Sequence, residues 1–218
     1  MLSPERRTRA DLIAAAAILV AVLVFVTVVW LRSDARGTTS ITATPPVTPA
    51  PAALTVPETL TEAWRATSGA TTTPMVGTGT VMTADDGTVT GRDPRTGAVL
   101  WSYQRNMPLC GAIGAWNNTV AVYRDQRGCS QVTELSGDTG NRTAARSSYA
   151  DDTVTLSADG TYVLSRGPNR LEAWRSDLVR TLEYGYVDAP VNPHSQPRSG
   201  CALNSAASSG SRVAVLER

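Results

Sequence analysis

The sequence contains no lysine, one histidine, one phenylalanine and three cysteines in 218 residues. Its 20 basic and 19 acidic side chains nearly cancel, so the chain lacks the charge excess that nucleic-acid binding requires. Nucleic acid is therefore not an expected partner. All basic side chains are arginine, and alanine, threonine and valine are abundant, which indicates the codon bias of a high-GC bacterium.

One long apolar run lies near the N-terminus. Residues 12–31 contain no charged side chain, and Thr27 is their only polar member. As a helix this run covers about 30 Å, the thickness of the hydrocarbon core of a bilayer. Arginines are more frequent before the run than after it, which predicts a cytoplasmic N-terminus. We therefore expect a cytoplasmic tail (1–11), a single transmembrane helix (12–31) and an extracytoplasmic remainder.

The alternative for this run is a cleaved signal peptide. Ser33, Asp34 and Ala35 have the small-residue spacing that a signal peptidase accepts. The apolar run is, however, longer than the roughly 7–15 residues of a signal-peptide core, which favours an uncleaved anchor. The next stretch, 32–59, is rich in proline and threonine and is predicted to be a disordered linker.

From Leu60 onward the chain has the pattern of repeated β-hairpins. Asp85-Asp86-Gly87 separates two alternating segments, a strong signal for a tight hairpin turn. The valine-containing segment after this turn recurs around Val132 and again around Leu171. The spacings, 43 and 39 residues, are those of a four-stranded propeller blade.

The order G-x-V, DG-x-V, D-x-x-TG-x-x-x-W within residues 79–101 resembles one blade of the PQQ-like β-propeller repeat family. The resemblance covers roughly 60–218. It implies an all-β fold, a partial β-propeller of four-stranded antiparallel blades, with about three blades and the start of another. It also implies that Trp101 and Trp174 pack between blades.

Because propellers close with four to eight blades, we expect this chain to be the N-terminal part of a longer protein. If it is not, self-association is the expected alternative.

The cysteines fit this arrangement. Cys110 opens one strand of the second repeat, Asn117-Asn118 is the predicted turn, and Cys129 follows the next strand, so the two sulfurs are predicted to form a disulfide. Such a bond persists outside the cytoplasm. Cys201 occupies the same place in a later repeat and is predicted to be unpaired in this chain, with a partner beyond Arg218.

No residue set indicates a reaction. His194, Ser195 and Asp188 lie on one loop without a nucleophile elbow, and a structural loop is the preferred interpretation. Asp85-Asp86 and Asp151-Asp152 lack calcium-loop spacing and are interpreted as turn residues. In the family that this repeat resembles, quinoprotein dehydrogenases bind quinone and Ca²⁺ beside a pair of adjacent cysteines. This sequence has no adjacent cysteines. We expect no cofactor, no metal and no catalytic residue.

The resulting expectation is a membrane-anchored, extracytoplasmic β-propeller that acts as a non-catalytic interaction or scaffold module for envelope proteins. Two alternatives remain at this point: a quinoprotein-type oxidoreductase, and a sensor domain that binds a small ligand.

Overall fold

The computed structural model describes residues 8–49, 51, 54–187 and 198–218. The chain divides into two compact units, one ending at Thr38 and the other beginning at Thr39. The first contains helix α1 (Arg9–Leu31) and a turn of 3-10 helix (Asp34–Gly37).

Helix α1 begins at a capping box. The Thr8 hydroxyl accepts a hydrogen bond from the Asp11 amide, and the Asp11 carboxylate accepts one from the Thr8 amide. No described side chain of α1 is buried. The helix is long and apolar enough to cross a membrane, a property that it shares with signal sequences.

The second unit is built from β-strands. The described strands are β1 (Thr38–Ile41), β2 (Met75–Gly77), β3 (Thr80–Asp85), β4 (Thr88–Arg92), β5 (Val99–Arg105), β6 (Leu109–Ala115), β7 (Asn118–Asp125), β8 (Gly128–Ser136), β9 (Arg142–Ser147), β10 (Thr155–Ala158), β11 (Val163–Arg166), β12 (Arg170–Trp174), β13 (Arg180–Gly185), β14 (Leu203–Ser209) and β15 (Arg212–Glu217).

These strands form four sheets in chain order. The first sheet has the order β1-β5-β4-β3-β2, the second β6-β7-β8-β9, the third β10-β11-β12-β13, and the fourth β14-β15. Consecutive strands within each sheet pair antiparallel. The prediction of a partial β-propeller with four-stranded antiparallel blades is thereby confirmed.

Part of the predicted linker belongs to the first sheet. Thr38–Ile41 forms β1 and extends that sheet beyond β5. Farther along, the amides of Ala43 and Val47 donate to the carbonyls of Thr139 and Asp138. The prediction of disorder is wrong for Thr38–Ile41, because a strand edge offers unpaired backbone groups to a segment with β-branched residues.

The turns between strands explain why the repeats are recognisable. Asp86 and Gly87 both have positive φ (42° and 76°), as a primed hairpin turn requires. In the second sheet the turn residues are Trp116 and Asn117, one position earlier than predicted, because Ala115 pairs with Asn118. The Trp116 indole donates to the Thr161 carbonyl of the third sheet.

A second kind of turn joins the last two strands of each four-stranded blade. Gly97 and Gly140 have φ of 72° and 71° and donate their amides to Asp93 and Ser136. In the third sheet Leu178 takes the same left-handed conformation at φ 58°. The third repeat thus keeps a left-handed residue where the Thr-Gly sequence is lost, but its turn is tighter, because the Leu178 amide donates to Arg175, only three residues earlier.

Each interface between successive sheets holds an apolar core. Trp101 and Leu135 belong to the core between the first and second sheets, and Val132 and Trp174 to the next one. A smaller core, with Leu171 and Leu203, lies between the third and fourth sheets.

Candidate interaction groove

One strand position differs between sheets according to whether a described sheet precedes them. It is the last or next-to-last residue of the third strand of a blade. This residue pairs with a residue near the start of the second strand of the same blade. The pairs are Val81 with Arg92, Thr119 with Leu135, and Val163 with Trp174. We call the third-strand member of each pair the facing position.

The facing position is apolar wherever a described sheet precedes it. Leu135 is 0% exposed and Trp174 is 2% exposed, and each packs in the core against the preceding sheet. No described sheet precedes the first one, and there the position holds Arg92, whose Nε donates to Thr83 Oγ1 (3.2 Å). A large apolar side chain is therefore characteristic of an interface and not of the repeat itself.

The interface between the third and fourth sheets contains an open groove of about 610 Å³. Strands β12, β13 and β15 and two turns form its walls, through Tyr162, Ala173, Thr181, Leu182, Tyr184, Gly210, Ser211, Val213 and Val215. Val213 corresponds in position to Thr119 and Val163, yet it is 37% exposed where they are 0%. No facing residue covers it among the described residues.

The edge of β15 borders this groove. In the fourth sheet β15 pairs with β14 on one side, from Arg212 opposite Ser209 to Glu217 opposite Leu203. The described residues provide no strand on its other side. Backbone amides and carbonyls at such an edge can pair with an added strand.

Trp101, expected to pack between blades, lies in β5 with no exposed surface. Its indole N–H donates to the Gly137 carbonyl of the second sheet (3.0 Å), which also accepts the Thr80 hydroxyl (2.6 Å). A Cβ at Gly91 would lie 2.2 Å from the indole and one at Gly140 2.6 Å, so both positions need glycine. Trp101 thus fills the space between the first two sheets.

Trp174, the other tryptophan expected to pack between blades, belongs to a buried ion-pair network at the second interface. Its indole N–H donates to Glu172 (2.8 Å), which also pairs with Arg170 (2.7 Å) on β12 and Arg146 (3.4 Å) on β9. The Arg146 guanidinium lies 5.6 Å from the Trp174 ring centroid.

Two residues of β13 complete the network. Arg180 pairs with Glu172 and Glu183, and Glu183 also pairs with Arg170. Burial alone would raise the pKa of Glu172, but hydrogen bonds from Arg170 and Trp174, with the charge of Arg146, hold that pKa below its usual value. The carboxylate therefore stays ionised although it is 3% exposed.

Cys110 and Cys129 form a disulfide with 5.9 Å between their Cα atoms. The bond joins β6 to β8, and Cys129 lies at the start of this third strand, where its neighbour Gly128 pairs with Asp125 at the end of the second. Register shifts between Leu109 and Gly111 and between Tyr123 and Asp125 mark this end of the sheet. Such bulges bend strands and let the first and third approach. Cys201 is a free thiol just before β14.

The other residues considered from the sequence have local roles or lie outside the description. Asp86 is in a hairpin turn, and Asp151 accepts the amides of Asn169 and Arg170. Within 8–49, 51, 54–187 and 198–218, no cluster of three or more His, Cys, Asp or Glu side chains could hold a metal. Asp188, His194 and Ser195 lie outside the described residues.

Neither the ion-pair network nor the groove was predicted from the sequence. The sequence does contain a signal for the network. Arg170, Glu172 and Trp174 occupy every second position of one strand, so their side chains must lie on the same face. The sequence signal for the groove was weaker. Equivalent turns follow Arg92, Leu135 and Trp174, and the residue is apolar where a described sheet comes before it and charged where none does.

The sheets and interfaces define the class of this protein, an all-β domain built as a partial β-propeller and preceded by one apolar helix. No protein-family model and no curated protein matches the chain. Among solved structures it is similar to the crystal structure of BamB from Moraxella catarrhalis, with 14% sequence identity and a TM-score of 0.40. That match covers 53% of this chain and 40% of the BamB chain.

Proposed function

We propose that this protein is a single-pass membrane protein whose extracytoplasmic β-propeller domain binds other proteins of the cell envelope without catalysing a reaction. The observation that carries the proposal is the groove beside β15. It joins an apolar wall, which includes Leu182 and Val215, to a strand edge that has no partner strand among the described residues, and a polypeptide can satisfy both.

The membrane part of the proposal rests on α1 and on the disulfide. A helix of 23 residues with no buried side chain suits a bilayer better than water. A disulfide between Cys110 and Cys129 suits an oxidising compartment. Together they favour an N-terminus in the cytoplasm and the β-domain outside it.

The buried charges support binding in preference to catalysis. Arg170 and Glu172 are almost fully buried and pair with one another on β12, and Glu172 also pairs across the sheet interface with Arg146 of β9. Groups engaged in this way stabilise an interface, whereas a catalytic acid or base needs access to a substrate.

The experiment is photo-crosslinking in intact cells. A photoreactive amino acid replaces Val213 in the groove, and a control variant carries it at Gln126, an exposed turn residue of the second sheet. We expect Val213 to yield a discrete crosslinked protein that Gln126 does not. Equal labelling at both positions, or none at Val213, would contradict the proposal.

Protease treatment of spheroplasts tests the orientation in the same cells. Added protease should degrade the β-domain while the N-terminal tail remains protected. Survival of the β-domain would show that it lies inside.

A further inference from the structure

We propose that residues 39–48 form a detachable strap, which makes the chain between α1 and the sheets a tether of two lengths. With the strap docked, six residues separate α1 from β1. With the strap released, the next described residue bonded to a sheet is Trp64, whose indole donates to the Pro94 carbonyl, and the free chain grows to 32 residues. This device rests on the proposed function, because it assumes that α1 anchors the protein in a membrane.

The strap contacts both sides of the interface between the first and second sheets. Its beginning lies in β1, which extends the first sheet beyond β5. The Ala43 and Val47 amides then donate to the carbonyls of Thr139 and Asp138 (3.0 and 3.2 Å), in the turn between β8 and β9. The strap therefore bridges two neighbouring sheets.

The end of the strap returns to the first sheet. Thr48 lies against the turn between β2 and β3, where a Cβ built on Gly79 would be 2.6 Å from the Thr48 carbonyl oxygen. The same Cβ would be 3.0 Å from a methyl carbon of Val47. Glycine at position 79 thus leaves the space that the strap occupies.

Few contacts hold the strap in place. Within the described part of the chain, no side chain of residues 39–48 forms a hydrogen bond. Ala43 packs against the core of the first interface and Val47 is partly buried, but Ile41 is 61% exposed. Backbone hydrogen bonds near solvent therefore hold most of the segment, which is typical of segments that open locally.

The interface beneath the strap is closed without it. The Trp101 indole and the Thr80 hydroxyl, both in the first sheet, donate to the Gly137 carbonyl of the second. The apolar core between the two sheets is likewise built from strand residues, with Ala43 only at its margin. Release of the strap therefore costs its own contacts and leaves the two sheets joined.

Two tether lengths give the β-domain two ranges of reach. Six extended residues span at most about 20 Å, whereas 32 residues span about 110 Å. Because β1 follows α1 in the chain, a pull between the anchor and a bound partner reaches the strap before it reaches any other part of the sheets. The protein can thus keep hold of a partner whose distance from the membrane changes.

Two glycine variants separate the strap from the turn that it contacts. Gly79→Asn places a side chain against Thr48, and asparagine tolerates the left-handed backbone at this position (φ 72°). Gly160→Asn is the control, because Gly160 is also left-handed (φ 89°) and nothing lies within 4 Å of its Cβ position. A retained Cys110–Cys129 bond and a cooperative thermal transition show that each variant is folded.

Hydrogen exchange on the purified full chain in detergent micelles measures the opening. The amides of Ala43 and Val47 should show the same protection factor, about 100-fold lower than that of Ala112, which donates to the Ala70 carbonyl. Gly79→Asn should lower the protection of the strap about tenfold further, and Gly160→Asn should leave it unchanged. Exchange of the strap only through global unfolding, or an equal response of both variants, would overturn the proposal.

Single-molecule pulling measures the change in length. Force is applied between Ala35→Cys and Gln126→Cys in a chain that also carries Cys201→Ser. We expect a reversible step that adds about 90 Å of chain, from residues 38–63, at a lower force than the unfolding of the sheets. A first step that already unfolds a sheet would contradict the strap.

Neither measurement involves a partner or an orientation in the cell. A strap that fails both tests leaves the proposed function as it stands. A β-domain that survives protease in spheroplasts would instead refute the proposed topology, whatever the strap does in micelles.

Discussion

Trp101 links the first two sheets both by packing and by a hydrogen bond. It is fully buried, and its indole donates to Gly137 across the interface. We expect Trp101→Ala to lower the free energy of unfolding by about 3–5 kcal/mol, because it leaves a large cavity and removes one of the two hydrogen bonds to the Gly137 carbonyl. Urea unfolding followed by circular dichroism measures this change.

The control for that variant is Trp116→Ala. Trp116 is partly exposed in a hairpin turn, although its indole also donates a hydrogen bond. Its loss is expected to cost less than about 1.5 kcal/mol. Equal losses in the two variants would show that burial between the sheets is not what makes Trp101 important.

Glu172 makes the stability of the second interface depend on pH. The pKa of this carboxyl is lowered in the folded protein from an ordinary value of 4.5. Its contribution is therefore fully present above pH 4.5 and is lost as pH falls through the lower, folded pKa. The wild-type protein should lose unfolding free energy on acidification below pH 4.5.

The variant Glu172→Gln tests this dependence. Removal of the carboxylate leaves Arg146 and Arg170 buried with fewer counter-charges, and we expect a loss of about 3–5 kcal/mol at pH 7. The acid dependence should also become shallower than in the wild type, which urea titrations at pH 7 and pH 4 would reveal. An unchanged slope would assign the acid sensitivity to other carboxyls.

At the scale of the elements, the disulfide ties the first and third strands of the second sheet. It closes a loop with a sequence separation of 19 residues, for which we expect a contribution of about 3 kcal/mol. The double variant Cys110→Ser/Cys129→Ser should unfold at a correspondingly lower urea concentration, and reductant should no longer affect it. Cys201→Ser should keep the full effect of reductant, and a loss of that effect would mean that Cys201 takes part in the bond.

The strands and turns were largely predictable, because their signals are local. The Asp86-Gly87 turn follows from the need for positive φ, and the second and third strands of each blade follow from alternation after such turns. The turn at Trp116 was misplaced because an aromatic residue rarely adopts φ of 53°, and a hydrogen bond to the next sheet accompanies it there. Strand β1 was missed because it forms on an edge supplied by β5, far along the chain.

The candidate groove was not predictable for a related reason. Whether Val213 is covered depends on which side chain lies opposite it in a neighbouring strand, and alternation along β15 carries no such information. The ion-pair network likewise joins β9 to β12 and β13. Contacts of this kind become visible only when the sheets are placed against one another.

For the molecule as a whole, the three interfaces differ in how completely they are packed. Those on either side of the second sheet contain Trp101 and Trp174 among many buried residues, whereas the third has a smaller core and an open groove. We expect amides of β14 and β15 to exchange through local opening at a lower free energy than those of β7. Native-state hydrogen exchange resolves this order, and uniform protection across all four sheets would contradict it.

The position of the disulfide also bears on biosynthesis in the proposed topology. If the β-domain crosses the membrane in chain order, beginning with the residues nearest α1, Cys110 and Cys129 become available close together, while Cys201 follows 72 residues after Cys129. During that interval only one pair of thiols can be oxidised. The order of translocation would then select the native bond before a competing thiol arrives, and this domain would not need an isomerase to correct it.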